Sequence, residues 1–292
     1  MLLYRSAAWF AKGLREYTKS GYESASKDFV PDDLEVQVPG RSFLVTGGNS
    51  GIGKATAIEI AKRGGTVHLV CRDQNRAEGA RGEIIRESGN RNIFLHIVDL
   101  SDPKAIWEFV ENFKQEHTLH VLINNAGCMV NKRELTEDGL EKNFATNTLG
   151  VYVLTTALIP VLEKEHDSRV ITVSSGGMLV QKLNTNDLQS ERTAFNGTMV
   201  YAQNKACGSP CQGSTPAWGT GCALRPRART PCCGWPSPPP PPRSPAASSS
   251  KVTSSPDRKP VPTHLPLART SSSPAEEEKL IEILEELAQR FK

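Results

Sequence analysis

Through the middle of the chain, short apolar runs alternate with longer amphipathic stretches. Ser42 to Val45, Thr66 to Val70, Ile93 to Val98, Leu119 to Ile123 and Arg169 to Val173 are rich in Val, Ile and Leu, the pattern of strands. Between them, Gly53 to Arg63, Arg76 to Ser88, Pro103 to Lys114 and Asp138 to Glu163 carry apolar residues at helical spacing. The strands are almost continuously apolar, so both of their faces need cover, as in a parallel sheet. Repeated βαβ units with right-handed crossovers then predict an α/β fold: a doubly wound parallel sheet, Rossmann-like, with a ligand crevice at the carboxyl ends of its strands.

The flanks read differently. Leu3, Ala7, Phe10, Leu14 and Tyr17 recur at helical spacing beside Arg5, Lys12, Arg15 and Lys19, which predicts a basic amphipathic helix within residues 1–23. Such a helix is a candidate for peripheral membrane contact or targeting, and equally for packing on the domain that follows. Residues 1–38 therefore form this helix and a linker, and 39–205 form the foldable domain. In 206–274, Pro210, Pro216, Pro226, Pro231 and the run Pro238 to Pro242 exclude helix or central strand, so a Pro/Ser/Arg-rich disordered segment is expected. Leu280, Ile283, Leu284 and Leu287 restore helical periodicity over 275–292.

Composition narrows the functional classes. With 35 Lys and Arg against 32 Asp and Glu, the net charge of +3 is too small to imply a nucleic-acid partner. Five of the seven cysteines (Cys207, Cys211, Cys222, Cys232, Cys233) follow Lys205 without paired C-x-x-C spacing or a neighbouring histidine cluster, so no metal site is expected. No secretory signal and no run of 18 or more apolar residues is seen. An intracellular, reducing compartment is expected, cytoplasmic or peripheral on an organelle membrane, and not secretion.

Candidate chemistry clusters at the predicted strand ends. After the first strand comes Thr46-Gly47-Gly48-Asn49-Ser50-Gly51-Ile52-Gly53, a glycine turn leading into a helix. Such a turn presents backbone N–H groups and a positive helix end to the phosphates of a dinucleotide. Asp99 and Leu100 follow the third strand, Asn124-Asn125-Ala126-Gly127 the fourth, and Ser174-Ser175 the fifth. Tyr201 and Lys205, four apart, share one helix face. A phenol titrates near pH ~10, and a neighbouring ammonium favours its ionised form, which would make it a usable acid or base at neutrality.

Together, Thr46-Gly47-x-x-x-Gly51-x-Gly53, Asn124-Asn125-Ala126-Gly127, Asn147, Ser175 and Tyr201-x-x-x-Lys205 resemble the short-chain dehydrogenase/reductase family, most closely its retinol-dehydrogenase-like branch, over residues 41–205. The resemblance implies a carbonyl–alcohol oxidoreductase acting on a small apolar substrate. Tyr201 would exchange a proton with the substrate oxygen, and Ser175, with Ser174 as the adjacent alternative, would hydrogen-bond that oxygen. Lys205 would lower the tyrosine pKa and hold the nicotinamide ribose, and Asn147 would anchor a proton path through water. Gly47, Asn49, Ser50, Gly51, Ile52 and Gly53 would cradle the phosphates, Asp99 and Leu100 would lie by the adenine, and Asn125, Ala126 and Gly127 would line the nicotinamide side. Arg72 at the end of the second strand favours NADP(H), with NAD(H) as the alternative because Asp73 is next to it.

After Lys205 the family's remaining elements do not follow, so the C-terminal part of the fold is expected to be missing or replaced. Losing a strand and its covering helix exposes more apolar surface than a stability of ~5–15 kcal/mol tolerates. A catalytically silent dinucleotide-binding protein is therefore the main rival, and a polyproline ligand at Pro238 to Pro242 a lesser one. The abrupt change of composition suggests that residues 206–256 are translated in a shifted reading frame. Reading the transcript one base out of register across that interval is expected to restore strand and helix periodicity; equally patternless alternative frames would remove the idea.

Overall fold

Five parallel strands, β1 (Ser42–Thr46), β2 (Thr66–Cys71), β3 (Ile93–Ile97), β4 (Val121–Asn124) and β5 (Arg169–Val173), lie side by side in the order β3-β2-β1-β4-β5. A three-residue strand, β6 (Cys232–Gly234), pairs antiparallel with the outer edge of β5. The computed structural model describes residues 11, 13–16, 18–27, 36–207, 232–234 and 273–292. The proline run 238–242, residues 1–10, Tyr17, Cys211 and Cys222 lie outside the described residues. The predicted N-terminal helix of residues 1–23 is only overlapped by α1, which spans Lys19–Ser26 and starts at the Thr18 cap; Leu14 and Tyr22 are exposed.

Successive strand residues point to opposite faces, which divides the core in two. Phe43, Val45, Val67, Leu69 and Ile123 pack beneath α2 (Gly51–Lys62) and α3 (Gln74–Ser88). Leu44, Val70 and Leu122 face the other way, against α4 (Pro103–Glu116) and α5 (Lys142–Leu162). The last helix, α7 (Pro274–Arg290), joins this second layer. It starts at a capping box between Ser273 and Glu276, buries Leu280, Leu284 and Ala288, and accepts a hydrogen bond at the Ala288 carbonyl from Trp107 Nε1 at 3.3 Å. On β5 only Val170 is buried, and Ile171 to Val173 are half-buried.

Caps account for boundaries that periodicity misplaces by a few residues. Asp73 accepts from the Arg76 N–H and starts α3 two residues before the expected Arg76, and Asp102 caps α4 ahead of Pro103. The helix expected from Asp138 begins instead at Lys142. There the buried Glu141 carboxylate accepts from the backbone N–H groups of Asn143 and Phe144 and from Asn143 Nδ2. A π-turn over Ala145–Leu149 interrupts α5 before it continues to Leu162. By length and composition α5 would cross a membrane, but most of it is buried in the core.

Three histidines meet on the α4 side of the sheet. His68 is stacked between Phe94 and His96 and lies edge-on to Phe113, and His117 caps the end of α4. Burial pushes His68 from its ordinary 6.5 down to about 3, and burial followed by the His117 charge pushes His96 to about 4. The unfolded imidazoles bind protons first as pH falls, so this contribution to stability is complete above about 6.5 and is lost towards 4. Urea unfolding midpoints are expected to drop between pH 7 and pH 4.5, and His96→Gln should shallow that dependence; parallel curves would contradict it.

Candidate active site

The turn after β1 is held closed from the β4 side. Thr46 Oγ1 accepts from the backbone N–H groups of Asn125 and Ala126 at 3.0 and 2.9 Å, and Asn125 Nδ2 donates to the carbonyl oxygens of Thr46 and Gly47 at 2.9 and 3.4 Å. The Asn124-Asn125-Ala126-Gly127 segment thus ties two neighbouring strands together. Little room is left above it. A Cβ on Gly47, at φ +66°, would lie 3.1 Å from Ala126 Cα, and one on Gly53 would collide with Asn125 Nδ2 and the Gly47 carbonyl. Gly51 has open space but sits at φ +53°. Ser50 precedes α2 without a side-chain cap bond, which leaves the first N–H groups of the helix to a ligand.

A cleft of about 290 Å³ opens over this turn, lined by Gly47, Asn49, Ser50, Arg72, Asp99, Leu100, Asn125, Ala126 and Gly127, all expected from sequence. Ile52 is exposed at the first turn of α2 beside it. Asp73, weighed from sequence as the acidic alternative to Arg72, also lines it, as do the polar side chains of Arg76, Cys128 and Thr146, which sequence reasoning did not select. Arg76 stands four residues after Arg72 on the first turn of α3, a spacing that could have signalled it. The Asp73 carboxylate is occupied, accepting from the Arg76 N–H at 2.9 Å. Asp99 accepts from the Ser101 N–H and hydroxyl, both at 2.8 Å.

At the inner end of the cleft the catalytic candidates converge. A Cβ on Gly127 would lie 3.2 Å from Asn147 Oδ1 and 3.3 Å from Lys205 Nζ. Tyr201 and Lys205 sit on α6 (Gly197–Cys207), and the ammonium is 5.7 Å from the phenol ring centroid. Ser175 hydrogen-bonds the Tyr201 phenol and accepts from the Gly177 N–H at 3.1 Å. Ser174 instead donates to the Lys205 carbonyl at 3.2 Å, so geometry distinguishes the two serines. Asn147 lies in the π-turn, with its amide accepting from the Cys128 N–H at 2.9 Å and donating to the Cys128 carbonyl at 2.8 Å.

One electrostatic expectation is corrected. Burial raises the Tyr201 pKa, with the Ser175 hydrogen bond pulling the other way, so the lowering expected from Lys205 is not what this site produces. The Lys205 ammonium is itself buried, which lowers its pKa, and it donates to the Val173 carbonyl at 3.0 Å. Desolvation of the phenolate is the dominant cause.

Residues 41–186 match the family model described as short chain dehydrogenase. The chain belongs to the short-chain dehydrogenase family. It is 74% and 71% identical to dehydrogenase/reductase SDR family member 12 of Bos taurus and of Homo sapiens, over all of this chain and all of each relative. Each alignment runs over 322 positions, more than the 292 residues of this chain. Retinol dehydrogenase 12 of Mus musculus is 42% identical over 171 residues, covering 58% of this chain and 54% of its own. Among solved structures, an uncharacterized protein from Mycobacterium paratuberculosis superposes with a TM-score of 0.50 at 31% identity, over 59% of each chain.

Crowding at the turn gives a direct test. Gly53→Ala is expected to cost roughly 1–3 kcal/mol in urea unfolding, because Asn125 and the Gly47 carbonyl must move. Gly51→Ala, which only strains the backbone, should cost roughly 1–2 kcal/mol. A neutral Gly53→Ala would mean that the turn is looser than described.

Proposed function

We propose that the chain is an NADP(H)-dependent oxidoreductase that interconverts a carbonyl and an alcohol on an apolar substrate. The observation that carries this reading is the convergence at Gly127, where the cleft over the glycine turn meets Lys205, Asn147 and the Tyr201–Ser175 pair. The residues present fit a dinucleotide, since the cleft opens over the glycine turn and the N-terminus of α2 lacks a side-chain cap. Arg72 and Arg76 both line the cleft where a ribose 2′-phosphate would sit, and Asp73, the acidic alternative, is committed to capping α3. This favours NADP(H) over NAD(H).

When bound, the nicotinamide supplies or accepts the hydride. The protein's part is proton transfer and positioning. In reduction, Tyr201 gives its phenolic proton to the oxygen of the carbonyl as that carbon gains the hydride, and Ser175 donates a hydrogen bond to the same oxygen. Lys205 places positive charge near the developing phenolate and beside Gly127, where it can also hold a ribose. Asn147 keeps the Cys128 backbone, and with it the floor of the cleft, in place. Because burial holds Tyr201 protonated at neutrality, the site is set for donating a proton, and reduction should weaken as pH rises through the tyrosine's titration. Relatives named retinol dehydrogenase support an apolar alcohol or aldehyde as the substrate class.

The rival reading, a dinucleotide-binding protein without turnover, is favoured by one observation: β5, which leads into Ser175, is only half-buried past Val170. Fluorescence titration should give tighter binding of NADPH than of NADH. Across a panel of apolar aldehydes and ketones, Tyr201→Phe is expected to lower kcat by at least ~100-fold with little change in NADPH affinity. NADPH binding with no turnover by the unmodified chain would select the rival; absence of binding would exclude both.

A further inference from the structure

His68 on β2, His96 on β3 and His117 at the end of α4 come together from three separate elements. Their ligand nitrogens all lie within 4.8 Å of one another, and His68 Nδ1 and His96 Nε2 are 3.0 Å apart. The register of the sheet makes this possible. Val70 pairs with His96, so His96 faces the same side as Val70 and, two residues earlier on β2, His68; α4 packs on that side and brings His117 over them. The sequence reading expected no metal on the spacing of the cysteines after Lys205 and did not weigh these histidines. None of the three lines the cofactor cleft.

We propose that these three imidazoles bind a divalent cation of the zinc class, with a water molecule or the Glu116 carboxylate as fourth ligand. Three neutral imidazoles suit borderline-soft divalent ions, and a tetrahedral zinc at ~2.0–2.1 Å from each nitrogen sets those nitrogens about 3.4 Å apart. The His68–His96 pair needs to open by a few tenths of an ångström, and half-buried His117 needs to swing inward by about one. A tautomeric shift of the proton shared between His68 and His96 frees both lone pairs and releases no proton. Access exists on the open side. His96 and His117 line a groove of about 340 Å³ together with Glu108, Asn112 and Glu116, and Glu116 Oε2 already lies 3.8 Å from His117 Nε2. Carboxylates at the mouth draw in a cation, and the buried aromatic side formed by Phe109 and Phe113 holds the rings in place. A bound ion would cross-link the edge strand β3 to β2 and to α4.

The experiment uses the full chain, stripped with chelator, and two metals. Zn²⁺ is titrated in competition with a chromophoric chelator, and Co²⁺ is followed by its visible bands. The expected result is one saturable equivalent, with a cobalt spectrum that lacks the near-ultraviolet sulfur-to-metal band. His117→Ala and His96→Gln should each weaken binding at least ~10-fold while the metal-free chain still melts cooperatively. His117 is half-buried at a helix end, so its variant preserves folding if His96→Gln does not. The proposal is overturned by absence of saturable binding, by affinity unchanged in the variants, or by a dominant sulfur band, which would assign the metal to the cysteines.

Discussion

The side-chain amide of Asn125 sets the separation on which the rest of the site depends. It bridges the carbonyl oxygens of Thr46 and Gly47 while the Asn125 backbone N–H donates to Thr46 Oγ1, so the ends of β1 and β4 cannot drift apart. That amide also crowds the positions a side chain would take on Gly47 and Gly53. One side chain thus joins sheet stability to cofactor geometry. The low tolerance for side chains at the turn follows from packing and needs no appeal to the ligand.

A second polar anchor works in the same way at the other end of the cleft. Glu141 is fully buried, and its carboxylate is answered by two backbone donors and the Asn143 amide, so its desolvation is compensated. Asn143 in turn accepts from the Val130 N–H at 2.8 Å and donates to the Val130 carbonyl at 3.2 Å, and in the π-turn that follows Asn147 makes the matching pair with Cys128. Two asparagines therefore fasten the loop after β4 to α5. That loop carries Gly127, the point where Asn147 and Lys205 approach the cleft.

The sheet was legible because its strands are apolar on both faces and its helices are not, and the glycine turn because only glycine suits those positions. Tyr201, Lys205, Ser175 and Asn147 were legible as spaced motifs, and the structure brings them to one place. Features that depend on three-dimensional closure were not legible. The π-turn at Ala145–Leu149 leaves no periodic trace in five residues, and the role of Asp73 as a cap could not be separated from its candidacy for a ribose until its carboxylate was seen occupied. The direction of the Tyr201 shift was misread because sequence spacing reports the nearby cation and not the desolvation that dominates the shift. The three histidines escaped for a related reason, since strand register assembles them and local spacing does not.

The docking of α7 has a consequence for the tolerance of the chain to change. Its apolar face is sealed into the layer formed by α4 and α5, where Leu280, Leu284 and Ala288 are buried. The last twenty residues therefore act as a keystone for that layer: cutting the chain before Ser273 would bare the apolar flanks of α4 and α5.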